Sequence, residues 1–194
     1  MSAAPAPAVP APVPLCLVTG AAGADKTAFV RALVAARPAS EHWAVLDNDP
    51  GANPCASADA HTTTATVSGC LCCTGQVALR TALVQLIRRV RPRRLILVAS
   101  AAAEPQALLG TFRDEHLARA VILRQHWCVA APQPLLMALQ SANGELQLRQ
   151  LQAADHVVGN DAAALRAVLV RHGMPPERVL GTATAVSRML AGHG

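Results

Sequence analysis

The chain has 194 residues, a formal net charge of +5 at pH 7 and a hydrophobic content of 52%. That much apolar material excludes a disordered polymer, and the length suits one domain with a buried core. Aromatic residues are only 2% and tyrosine is absent, so the core has to be assembled from Ala, Leu and Val.

Met1 to Pro14 is rich in Ala and Pro and lacks the basic start and apolar run of a signal peptide. It reads as a disordered, partly extended tail over residues 1–14, ahead of a folded domain over 15–194. No apolar run approaches the roughly 18 residues of a membrane span. A cytoplasmic protein without a membrane partner is the expectation.

Leu15 to Thr19 is an apolar run ending in Gly20, a buried strand followed by a turn. Lys26 to Ala36 has helical character, with Phe29, Leu33 and Val34 on one face and Pro38 beyond its end. Trp43 to Leu46 reads as a second strand that breaks at Asp47-Asn48-Asp49-Pro50-Gly51. A polar, Thr-rich stretch runs on to Ser68. Gly75 to Val90 carries an apolar stripe of Leu79, Leu83, Leu86, Ile87 and Val90, and Leu95 to Ala99 is a third buried strand. Val129 with its neighbours, Val157-Val158 and Val179-Leu180 are weaker strands, separated by helices such as Pro134 to Leu139 and Ala162 to His172. Strands alternating with helices predict an α/β fold of three layers with a mostly parallel sheet. Ligands of such sheets bind at the carboxyl ends of the strands, where the Gly20 and Asp47 turns lie.

The first turn reads Gly20-Ala21-Ala22-Gly23-Ala24-Asp25-Lys26-Thr27. Gly20, Lys26 and Thr27 fit the phosphate-loop pattern G-x-x-x-x-G-K-[ST] in its proper place between strand and helix. Backbone N–H groups would cradle phosphates, Lys26 would neutralise the outer ones, and the Thr27 hydroxyl would ligate Mg²⁺. Asp25 stands where the second glycine belongs. It is expected to crowd the loop. Its charge would also oppose phosphate: like unit charges about 4 Å apart repel by about 4 kcal/mol at an effective dielectric of about 20. A rival reading takes Val18 to Gly23 as the opening of a short-chain dehydrogenase. The missing tyrosine and the Lys26-Thr27 pair oppose it.

Gly69-Cys70-Leu71-Cys72-Cys73 places three thiols within four positions between two glycines, Gly69 and Gly75. Cys70, Cys72 and Cys73 can converge on one soft cation, and Zn²⁺ with its tetrahedral N/S preference fits best. A fourth ligand could come from Cys55, His61, Asp49 or Asp59. The basic cluster Arg88, Arg89, Arg91, Arg93 and Arg94 has no aromatic neighbour to stack on bases, so no nucleic-acid partner is expected.

Together these motifs resemble the CobW/HypB/UreG group of P-loop GTPases. That resemblance rests on the phosphate loop, on Asn48-Asp49 with Gly51 in place of an Asn-Glu turn, and on the fully matched Gly69, Cys70, Cys72 and Cys73. It implies a P-loop NTPase fold, GTP and Mg²⁺ at Gly20, Gly23, Asp25, Lys26, Thr27, Asn48 and Asp49, and Zn²⁺ at the cysteines. It also implies a metalloprotein client and a homodimer. The base-reading Asn-Lys-x-Asp motif is kept only at Asn160, because Asp161 and Ala163 replace its Lys and Asp. Val98 replaces an expected acid, and Ala101 replaces the glycine that contacts the γ-phosphate. A GTP-binding zinc metallochaperone with weak or lost hydrolysis is therefore expected, or else a zinc-binding protein without nucleotide control. The C-terminal domain common in CobW-like members is not expected in this chain.

Overall fold

The computed structural model describes residues 11–49, 60–69 and 75–191. Seven strands form one sheet in these residues: β1 (Val13–Thr19), β2 (Trp43–Asp47), β3 (Thr62–Thr66), β4 (Arg94–Val98), β5 (Val121–Val129), β6 (His156–Gly159) and β7 (Val179–Gly181). Their order is β3-β2-β4-β1-β5-β6-β7, and every pairing is parallel. The sheet is thus wholly parallel among the described residues, where a mostly parallel one is expected from sequence. β1 begins at Val13, so Val13 and Pro14 belong to the sheet and not to the tail.

The apolar runs of the central strands are continuous because both faces of the sheet are covered. Leu15 and Leu17 of β1 and Leu95 and Leu97 of β4 face one cluster, while Cys16, Val18, Ile96 and Val98 face the other. Helix α1 (Lys26–Ala35) and helix α8 (Thr182–Ala191) cover the second face through Phe29, Val30, Leu33, Ala185 and Met189. The first face carries α2 (Gly75–Val90), α3 (Pro105–Phe112) and α4 (Glu115–Ala118) over one half. Over the other half lie α5 (Pro132–Leu139), α6 (Gly144–Ala153) and α7 (Ala162–Arg171). The connection after β1 crosses one face, whereas those after β4 and β5 cross the other. That reversal opens a crevice at the carboxyl end of β1, where the phosphate-loop sequence lies.

β3 and the helices α3, α4, α6 and α8 escape a reading by hydrophobic pattern. β3 consists of Thr62, Thr63, Thr64, Ala65 and Thr66. It is an edge strand, half solvated, and β-branched threonine suits that position despite its polarity. Helices α3, α6 and α8 are short, and α6 has glutamine where a core face would carry leucine: Gln147 and Gln150 are both buried.

A buried polar chain ties the sheet to α6. His126 is 2% exposed on β5. Its Nδ1 lies 3.1 Å from the Ala153 carbonyl, which can only accept, so Nδ1 carries the proton. Nε2 then accepts from the Thr19 hydroxyl at 2.9 Å, and the His126 N–H donates to Asp155 Oδ2 at 2.7 Å. Burial pushes the imidazole down to about 4 from 6.5, opposed by the Ala153 bond and the Asp155 charge. An unfolded chain therefore takes up this proton first as pH falls. The stabilisation is complete above pH 6.5 and is lost on descending toward pH 4. Urea unfolding at the two pH values should show about 3 kcal/mol of this origin. His126→Gln should flatten that component of the pH dependence.

Candidate functional site

The loop from Gly20 to Lys26 is shaped by contact with the neighbouring strand. Gly20 has φ +142°, and a Cβ there would lie 2.1 Å from the Val129 carbonyl oxygen, so no side chain fits. Gly23 has φ +76°. Asp25 has φ 55° and ψ 46°, a left-handed conformation that Asp tolerates better than most residues. Its side chain is exposed and folds back as the N-cap of α1, with Oδ1 accepting from the Ala28 N–H at 3.1 Å. The crowding expected from sequence does not arise. The carboxylate instead occupies one of the free N–H groups at the helix start, where an anion would otherwise bind.

Lys26 is 4% exposed and points back into the loop. Its ammonium donates to the Gly20 carbonyl at 3.1 Å and the Ala21 carbonyl at 3.3 Å, and it pairs with Asp49 Oδ2 at 3.0 Å. Thr27, half-buried, is the second residue of α1.

Asp49 belongs to the turn that leaves β2. Asp47, the last residue of that strand, is 2% exposed, and its Oδ1 accepts from the Asp49 N–H at 2.8 Å. Burial raises its carboxyl above the ordinary value. The bond from Asp49 N–H and the Lys26 charge work against this, and the Asp49 charge adds to it. Asn48 uses both of its N–H groups on backbone carbonyls, those of Val67 and Gly69, each at 2.9 Å. Its Oδ1 is buried with no hydrogen-bond partner in the described structure. The nucleotide role expected of Asn48 is accompanied by a mechanical one, since it fixes the exit of β3 at the residue before Cys70.

Cys70, Cys72 and Cys73 lie outside the described residues, as do Cys55 and Asp59. The geometry does separate two of the candidate fourth ligands. His61 precedes β3 at its amino end, where its carbonyl accepts from Trp43 N–H at the start of β2. Five residues at about 3.3 Å each put that point roughly 17 Å from the carboxyl edge. Asp49 lies on the carboxyl edge with Gly69, with its carboxylate engaged by Lys26.

A cleft of about 190 Å³ adjoins the loop on the β5–β6 side, lined by Asp25, Ala28, Phe29, Asn160, Asp161 and Thr182 among others. Asn160 Oδ1 accepts from the Thr182 hydroxyl at 3.0 Å, and Asp161 caps α7 by accepting from Ala164 N–H at 3.0 Å. The structure therefore brings Gly20, Lys26 and Asp49 into contact and sets Asp25 and Asn160 around one cleft.

Pattern reading missed the residues that hold the wall of the site. The loop after β4 is gripped from α6: Gln150 Nε2 donates to the carbonyls of Ala101 (3.1 Å) and Ala103 (2.8 Å), Gln147 Nε2 to Ala101 (3.5 Å), and Arg149 pairs with Glu104 (3.1 Å). Arg178 holds the carboxyl end of α6 through the carbonyls of Leu151 and Ala154. Ala102 lines a groove of about 300 Å³ with Asn48 and Gly69 and also a groove of about 520 Å³ with Ala21, Ala22 and Gly23. The one sequence signal for these ties is the unusual glutamine content of α6.

Two expectations follow from this chemistry. Cys16 and Cys128 are buried, and burial pushes their thiols up to about 12 and about 11. A thiol reagent at neutral pH should modify at most four of the six cysteines of the folded protein, with the remainder released by denaturant. Removing Asp49 strands the Lys26 ammonium on two carbonyls. With Asp49 22% exposed, Asp49→Ala should cost about 1–2 kcal/mol in chemical unfolding. Adding Lys26→Met should recover most of that loss.

Residues 14–172 match the family model "CobW/HypB/UreG, nucleotide-binding domain". The zinc chaperone YeiR of Escherichia coli (strain K12) is 30% identical over 148 residues, which cover 74% of this chain and 45% of that protein. The chain thus spans less than half the length of this curated relative. The crystal structure of zinc-bound YjiA GTPase from E. coli superposes with a TM-score of 0.62 at 19% identity, covering 88% of this chain and 57% of that one. A zinc-bound triple mutant of YjiA gives 0.60 at 18%, with the same coverage. These two likenesses show the P-loop NTPase-like fold. With its phosphate loop, its Asp-Asn-Asp turn and the match over residues 14–172, the chain belongs to the CobW/HypB/UreG family.

Proposed function

We propose that this protein is a GTP-binding zinc metallochaperone in which hydrolysis is weak or lost, and in which nucleotide and zinc act on one three-residue turn. The observation that carries the reading is the placement of Asp47-Asn48-Asp49. Asp49 holds Lys26 of the phosphate loop, and Asn48 holds Gly69, the residue before Cys70. Phosphates that claim the Lys26 ammonium must compete with Asp49. A release of Asp49 is felt through the adjacent Asn48 at the start of the thiol motif. Zn²⁺ is the cargo, and a metalloprotein client would receive it; Cys70, Cys72 and Cys73 supply the soft donors it prefers.

The cradle fits a Mg²⁺-bound triphosphate in its backbone and in its donor set. Thr27 offers a hydroxyl, and Asp47 and Asp49 offer carboxylates nearby. The metal would neutralise phosphate charge. The charges of the cradle are, however, already matched internally, Lys26 by Asp49 and the start of α1 by Asp25. Binding must break these contacts, which supports weak affinity. Slow turnover is supported by Val98, buried and apolar where the family pattern has an acid, and by Ala101, whose carbonyl is tied to α6. The same closure favours a second reading, a zinc-binding protein in which nucleotide has no part.

The test is a titration with ribose-labelled GTP and Mg²⁺, beside Asp25→Gly. The natural protein should bind weakly, and the glycine variant about tenfold more tightly. Its stability should stay within about 1 kcal/mol, because a lost cap is offset by relief of the left-handed residue. Zinc affinity, measured by competition with a chromophoric chelator, should fall sharply in Cys72→Ala and Cys73→Ala and should change when GTP and Mg²⁺ are added. Zinc binding that ignores saturating GTP would leave the second reading standing.

A further inference from the structure

We propose that the outer edge of β3 pairs antiparallel with β3 of a second copy of this chain, joining the two sheets into one two-fold dimer. Neither nucleotide nor zinc takes part in the contact.

β3 stands at one end of the strand order and pairs with β2 alone among the described strands. Trp43 N–H donates to the His61 carbonyl at 3.0 Å, and Val67 N–H donates to the Asp47 carbonyl at 2.8 Å. Between these bonds the register holds from Trp43 against Thr62 to Asp47 against Thr66. Residues 61, 63, 65 and 67 therefore bond toward β2. Strand alternation then turns the backbone N–H and C=O groups of Thr62, Thr64 and Thr66 outward. Thr62 is 7% exposed, whereas Thr64 is half-buried and Thr66 exposed. Among the described residues, no strand meets Thr64 or Thr66 on the outer side.

The two ends of the sheet differ in their protection. β7, the other edge, has three residues, follows Pro175 and Pro176, and has its Val179 carbonyl taken by Arg166 at 3.2 Å. β3 has five residues, four of them β-branched threonines. No Asp, Glu, Lys, Arg or Pro occurs from Ala60 to Gly69. Natural edge strands carry charge, proline or a bulge where pairing has to be prevented. β3 has no charge or proline and keeps one register with β2. Its uncharged edge is complementary to itself.

A two-fold axis at Ala65 sets Thr64 opposite Thr66 of the partner subunit, and Thr66 opposite Thr64 of the partner subunit. Outward groups then meet outward groups, and the two pairs exchange four N–H···O bonds. Ala65 meets its own copy at the axis in a close pair without hydrogen bonds, which a methyl group permits. Threonine faces threonine on one side of the joined sheet, and no like charges oppose. Thr62, the buried residue, is left at the rim of the contact. Because the strands run in opposite directions, the two Gly69 residues lie roughly 26 Å apart along them. Each chain thus keeps its own thiol motif.

Sedimentation equilibrium of the full chain, with reductant and a zinc chelator present, should span about 1–500 µM. The mass should rise from the 20.1 kDa of one chain toward twice that value and stop there, since the pairing closes both β3 edges. A single-chain mass throughout overturns the proposal, and so does growth beyond two chains. Thr64→Pro removes an outward N–H and spares the ladder to β2, while Thr66→Lys puts a charge on an exposed edge residue. Each should weaken the dimer by at least about tenfold, with the circular dichroism of the chain kept. Unchanged association in a folded variant overturns the assignment. Amide exchange in the natural protein decides whether or not a variant folds. The Thr64 and Thr66 amides should exchange about tenfold more slowly once the dimer forms. A dimer that leaves both amides unprotected overturns the edge pairing.

Discussion

A buried ammonium has to have an anion beside it, and the pair of Lys26 with Asp49 is where this constraint organises the protein. Two carbonyls of the loop share the lysine but bring only partial charge, so the full counter-charge comes from the turn after β2. The pair therefore fastens the phosphate loop to the β2–β3 edge of the sheet. Asp47, tied to the same turn through the Asp49 N–H, holds its proton more tightly than usual chiefly because it is buried, with the Asp49 charge adding to the effect. An incoming phosphate would meet a lysine already in use.

The outline of the fold was legible because the central strands are apolar on both faces. Leu15–Thr19, Trp43–Leu46 and Leu95–Ala99 read directly as buried parallel strands, and Gly20-Lys26-Thr27 placed the loop. β3 was not legible, because threonine signals polarity and strand propensity at once, and only a partner strand decides between them. The site was legible where a motif fixes the backbone and illegible where a side chain acts on distant carbonyls. Nothing local to Gln150 says that it will reach Ala101 and Ala103, forty-nine and forty-seven residues away. Asp25 shows the same limit from the other side. Its identity warned of repulsion, but its conformation, which turns the carboxylate onto Ala28, depends on the helix it starts.

The glutamines of α6 and the Thr19–His126 chain serve one purpose from two directions. One holds the loop that borders the site, the other holds the strand end that launches the phosphate loop, and both end on α6. Polar groups buried in this way are costly unless paired, and here the glutamine N–H donors and His126 Nδ1 are paired with backbone carbonyls, while Gln150 Oε1 is buried with no partner in the described structure. Helix α6 is consequently a brace between the loop and the second half of the sheet, and Arg178 secures its far end.

Ala102 lines both the groove of the phosphate loop and the groove of Asn48 and Gly69, and its side chain is a single exposed methyl group. A bulkier residue at this place would alter the outline of both grooves at once. For a protein engineer that position is a shared rim: one volume change there would reshape both grooves together.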